Sequence, residues 1–169
     1  MIAKIRLPNR LAFAAVVALI IAAMAMGMYL QYVVDLEPCP LCVLQRLGYV
    51  VTGLLALPGT VFALGARAQR LLAGLALLTA VAGGAVATWH AYLVVYPPAS
   101  MTCGRPFQWF DDDFPLVLWL PKLFRGQGDC LRVDWTLLGL NIPQWALLVF
   151  VAISVLLAGI VFGRRRVAD

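Results

Sequence analysis

The chain has 169 residues, 63% hydrophobic and only 12% charged, with a mean hydropathy of +0.92. A soluble domain carries about 25% charged residues, so the composition excludes one and leaves an integral membrane protein. The net charge of +5 is spread over separate short pieces, which leaves no nucleic-acid patch.

Lys4, Arg6 and Arg10 precede a first apolar run, residues 11–34, that contains no charge. Its length meets the roughly 20 residues needed to cross a bilayer, where the backbone must be helical because no water is at hand to bond it. Ala23-Met24-Ala25 has the look of a signal cleavage site. The run is much longer than the roughly 7–15 apolar residues of a signal peptide, so a membrane span is expected.

After Asp35 and Glu37, the second run, residues 40–64, opens on Cys39-Pro40-Leu41-Cys42 and has Arg46 as its only charge. A C-x-x-C pair is a redox or metal motif. Pro40 suits the first helical position, which makes Cys39 a cap and puts Cys42 in the first turn. The positive end of the helix dipole favours a thiolate there. Arg46, at i+4 from Cys42, lies on the same face and sets a permanent cation within reach of that sulfur. An interfacial arginine can also simply snorkel; its register with Cys42 favours the functional reading.

Arg67 and Arg70 separate this run from the third, residues 71–96, whose only ionisable group besides tyrosines is His90. His90 is either a helix–helix hydrogen-bonding residue or a site residue. Gly83, Ala87 and His90 share a helical face, which either lets a helix approach closely or leaves room for a flat ring. Trp89 and Tyr92 read as interface-belt residues.

Residues 97–142 form a long polar loop holding Cys103 and Cys130. Within it the apolar stretch 114–124 is too short to span and is expected as a short interfacial helix. Asp111, Asp112 and Asp113 read as a solvated turn in preference to part of a partner-docking surface. The fourth run, residues 143–163, is uncharged and is followed by Arg164, Arg165 and Arg166. The eight basic residues that flank the spans, Lys4, Arg6, Arg10, Arg67, Arg70 and Arg164 to Arg166, share one side of a four-span topology. Short basic loops stay in the cytoplasm, so both termini are expected there, with the loop and all four cysteines on the other side. The fold expected is an all-α membrane protein: one integral membrane domain over residues 1–169, a four-helix transmembrane bundle with a long periplasmic loop.

All four cysteines thus fall in an oxidising compartment if the membrane is a bacterial inner membrane. A Cys103–Cys130 disulfide alone would read as a structural staple worth a few kcal/mol, about the chain-entropy value for such a loop. Cys39–Cys42 closes too small a loop to stabilise much, and pairs of this spacing are more often reactive. A four-cysteine zinc site would need permanent thiolates in an oxidising space and lacks a second C-x-x-C, so no metal is expected.

The string Cys39 to Arg46, the loop pair Cys103 and Cys130, His90, Gly128-Asp129-Cys130 and Pro143-Gln144-Trp145, set in four spans, resemble the DsbB family of inner-membrane thiol oxidases. The resemblance covers nearly the whole chain. It implies a protein-disulfide-generating oxidoreductase that reoxidises a periplasmic DsbA-like thioredoxin-fold protein. The electrons would go to membrane quinone, ubiquinone or menaquinone, and so to the respiratory chain. It implies Cys39, Cys42, Cys103 and Cys130 as catalytic residues in a two-disulfide relay, with the partner attacking Cys103 and the released Cys130 attacking Cys39. Arg46 and His90 would face the quinone. Asp129, beside Cys130, is expected to make that thiol a stronger nucleophile that is less often ionised. The alternatives are a vitamin K epoxide reductase-like enzyme, disfavoured because its cysteine pair comes late in the chain, and a tetraspan scaffold with structural disulfides only.

Overall fold

The computed structural model describes residues 9–97, 124, 126, 128–133 and 135–163. Four helices dominate: α1 (Asn9–Tyr32), α2 (Pro40–Val61), α3 (Ala66–Val95) and α4 (Ile142–Phe162). All four are long and apolar enough to cross a membrane, and the chain is a multi-pass membrane protein. They occupy the four expected runs. The main shift is at the start of α3, which begins at Ala66 because Arg67 and Arg70 are good helix formers that extend it beyond the apolar run. The expected interfacial helix, the aspartate turn and Cys103 lie outside the described residues, apart from Phe124, which packs on Val43 of α2.

α1 packs on α2, α2 on α3, α3 on α4 and α4 back on α1, closing a bundle in chain order. The core is a set of complementary helix faces. Ala73, Ala76, Ala80, Gly83 and Ala87 are buried along one side of α3. Phe150, Ile153, Leu157 and Ile160 of α4 and Phe13, Val16 and Ile20 of α1 fill the space between helices. Small residues bring helices close in lipid, where dispersion contacts replace the hydrophobic effect. The Phe150 ring lies over Gly83, where a Cβ would overlap it, and stacks on Tyr49 at 4.1 Å. The flat ring on this face of α3 is therefore a core phenylalanine. Polar ties join helices within the core, among them Thr52 to Thr79 at 2.9 Å and the Tyr49 hydroxyl donating to the Ala146 carbonyl at 3.0 Å.

At one end of the bundle, basic side chains close the helix termini. Arg10 donates to the carbonyls of Thr60 and Val61 at the end of α2, and Arg70 donates to the carbonyl of Gly163 after α4. Cations at these positions meet the unpaired carbonyls and the negative dipole end. At the other end, β1 (Thr136–Leu137) and β2 (Leu140–Asn141) form a hairpin. Its two turn residues, Leu138 and Gly139, both have positive φ, 54° and 79°, as a type I′ turn requires. Asn141 then caps α4 through a reciprocal pair of hydrogen bonds with Gln144.

Candidate active site

The hairpin end of the bundle also holds Cys39, Cys42 and Cys130. Cys39 has extended backbone and is the N-cap of α2; its sulfur accepts the Cys42 backbone N–H at 3.3 Å. Pro40 follows as the first helical residue. The turn brings the two sulfurs to 3.0 Å, with the Cys39 thiol donating to Cys42. Both are free thiols. That hydrogen bond, together with burial, raises the Cys39 pKa well above the ordinary thiol value. Cys39 therefore keeps its proton, and Cys42 is the sulfur that receives the hydrogen bond.

Cys130 arrives from a different part of the chain. Gly128 N–H donates to the Pro38 carbonyl at 3.0 Å, so this segment runs directly over the residues that precede α2. Only glycine fits the crossing: a Cβ at position 128 would overlap the Glu37 carbonyl oxygen, and one at 126 would press on Val43 and the Cys39 backbone. Asp129 accepts the Leu131 N–H at 2.9 Å and so forms a local turn beside Cys130. Cys130 is disulfide-bonded. Its sulfur, the Cys39 sulfur and a ring nitrogen of His90 lie within 4.8 Å of one another.

His90, near the end of α3, is the hub of this cluster. Its Nε2 is 3.1 Å from the Cys130 carbonyl oxygen and 3.7 Å from the Cys39 sulfur. Its Nδ1 is 3.1 Å from the side-chain nitrogen of Gln45. Cys39, Gln45, His90 and Cys130 are 3%, 4%, 3% and 1% exposed, so the junction is buried. A recess of about 60 Å³ reaches it, lined by Cys39, Cys42, His90, Asp129 and Arg132 among others.

Arg46 lies on the opposite flank. Its Nη1 donates to Gln31 Oε1 at 2.7 Å and its Nη2 to the Gly27 carbonyl at 3.4 Å, both on α1. Cys42 and Arg46 are the partly exposed members of the site.

Of the six residues expected from the sequence, the structure brings Cys39, Cys42, Arg46, His90 and Cys130 together. Cys103 lies outside the described residues. Two glutamines were missed, Gln45 and Gln31. Their signal was available, because a polar side chain inside an apolar span marks a buried contact. Gln45 lies next to Arg46 in the sequence and is itself buried.

Residues 9–160 match the family model described as disulfide bond formation protein DsbB. Several curated proteins named disulfide bond formation protein B are similar along most of their length. The one from Azoarcus sp. (strain BH72) is 42% identical over 153 residues, 90% of this chain and 92% of its own. That from Verminephrobacter eiseniae is 45% identical over 138 residues, covering 81% and 77%. That from Albidiferax ferrireducens is 40% identical over 164 residues, covering 95% and 92%.

Proposed function

The chain belongs to the DsbB family of disulfide bond formation proteins, and we propose that it reoxidises a periplasmic DsbA-like dithiol protein and delivers the electrons to membrane quinone. The observation that carries this reading is the meeting of two cysteine pairs. Cys130, already in a disulfide, sits with its sulfur within 4.8 Å of Cys39, a short step from the distance for exchange. A structural staple has no need of a second, reducible pair at its side.

The proposed relay balances as follows. A partner thiolate attacks Cys103, breaking a Cys103–Cys130 bond and forming a mixed disulfide. The Cys130 thiolate attacks Cys39, breaking Cys39–Cys42 and releasing the Cys42 thiolate. The partner's second thiol then leaves as part of its own disulfide, freeing Cys103. Cys103 re-forms its bond with Cys130 and releases Cys39. The net result is one partner disulfide and a reduced Cys39–Cys42 pair, the pair's state in the structure. Its thiol chemistry fits that order. Cys39, which keeps its proton when reduced, is the sulfur attacked when oxidised, and Cys42, hydrogen-bonded by Cys39 and at a helix N-terminus, is the leaving group.

Quinone, as the second substrate, takes up two electrons and two protons as Cys39 and Cys42 rejoin. Cys42 and Arg46 would hold it, since they are the members of the site that remain partly exposed, and the guanidinium offers a hydrogen bond and a charge to a carbonyl oxygen. His90 was expected at the quinone as well. With both ring nitrogens engaged by Gln45 and the Cys130 carbonyl, it acts more directly on the thiol side. Positive-inside topology puts the Arg10 and Arg70 end in the cytoplasm and the cysteine end in the periplasm of a bacterial inner membrane.

The test is to mix purified protein, a water-soluble ubiquinone analogue and a reduced DsbA-like protein, following quinone absorbance and free thiols together. One quinone should be reduced per dithiol oxidised, and Cys103→Ser should abolish this. Thiol oxidation without quinone consumption would reject the proposed acceptor.

A further inference from the structure

We propose that Gln45 is a positioning residue for the exchange between the two cysteine pairs: it holds a neutral His90 with its proton on Nε2, and that proton tethers the Cys130 backbone beside Cys39. This deepens the relay reading and rests on it.

The Cys130 carbonyl can only accept, so His90 Nε2, 3.1 Å away, must donate and must carry a proton. In a neutral ring Nδ1 is then a bare acceptor. The Gln45 atom facing it at 3.1 Å is the amide nitrogen, a donor. The bonds run in one direction, from Gln45 N–H to Nδ1 and from Nε2–H to the Cys130 oxygen. The other neutral tautomer would set two donors against each other at Nδ1 and two acceptors at Nε2. Each mismatch would leave polar groups unpaired at a site this buried, which is costly. An imidazolium with the amide turned over would also satisfy the geometry. It would place a cation in a buried site where no carboxylate among the described residues bonds the ring, at a high cost in desolvation.

The consequence is mechanical. The Cys130 segment is tied to the α2 entry by Gly128 N–H on the Pro38 carbonyl. It is tied to α3 by His90 on the Cys130 carbonyl. Gln45, on α2, completes the clasp by fixing the ring. Three separate segments thus hold Cys130 against Cys39, and the attack of the Cys130 thiolate on the Cys39–Cys42 bond begins from a fixed geometry. Gln45 touches neither sulfur in this scheme and acts through His90.

His90 is the only histidine in the chain, so selective ¹⁵N-histidine labelling gives ring signals from one residue. In the quinone-free wild type in micelles, we expect a directly bonded proton on Nε2 alone. A proton on Nδ1 alone, or on both nitrogens, overturns the proposal without any variant being made. Gln45→Met should shift the Nδ1 signal. It should lower turnover with a reduced DsbA-like protein by about tenfold, the scale of one lost hydrogen bond in a transition state. Turnover with a small dithiol, which reaches Cys39–Cys42 without using Cys130, should fall by less than about threefold on the same scale. Equal losses with the two reductants overturn the positioning role. A wild type that oxidises no protein dithiol overturns the relay itself, which is a distinct outcome.

Discussion

Arg46 is tied to a helix other than its own. It lies one turn from Cys42 on α2, yet its hydrogen bonds go to Gln31 and Gly27 on α1. The guanidinium is therefore aimed by a neighbouring helix, which a snorkelling residue does not need. Its planar fork reaches two α1 acceptors at once. Arg46→Met should raise the quinone KM by about ten- to a hundredfold, the range for a hydrogen bond from a charged group. Partner affinity should change little. Arg46→Lys should recover only part of the loss, since an ammonium lacks the fork. Initial rates against quinone concentration decide it, and an unchanged KM in Arg46→Met would remove Arg46 from the quinone site.

Between elements, the decisive feature is how closely α3 approaches α4. Gly83 lies under the Phe150 ring, which is itself held by stacking on Tyr49. Gly83→Ala should destabilise the bundle by about 1–3 kcal/mol, as overpacking does when the neighbour cannot move. Gly74 lies on the same helix with open space around the position of its Cβ. Gly74→Ala should be neutral or stabilising by up to about 1 kcal/mol, because alanine is the better helix former. Unfolding titrations of the two variants in mixed micelles make the comparison. If both lose the same stability, the cause is common to the two sites, such as lipid contact, and the tight α3–α4 seam is not what holds the pair. The crossing at Gly126 and Gly128 follows the same logic at the site, where backbone passes over backbone and a methyl group has no room.

Across the whole molecule, polarity divides the two ends of the bundle. Arg10 and Arg70 close helix termini at one end, and Cys39, His90 and Cys130 cluster at the other. After mild reduction of intact cells, a membrane-impermeant maleimide should label Cys42, the more exposed of the motif pair, from the periplasmic side. Labelling only in inverted vesicles would reverse the proposed orientation. The order of residues alone was enough to set the four spans, because each apolar run exceeds a bilayer's thickness and lipid permits the backbone only one unaided solution. It also exposed the Cys39–Cys42–Arg46 constellation, since those residues lie within two helical turns and helical geometry relates them without any fold. What it could not determine was anything joining distant segments. Whether Gly83 faced a helix or a ligand depended on Phe150, 67 positions along. Which groups the His90 ring meets depended on where Gln45 and the Cys130 carbonyl came to rest. Those contacts follow from which helix faces pack together. Runs that are apolar all round carry little information about facing, so only the assembled bundle decided them.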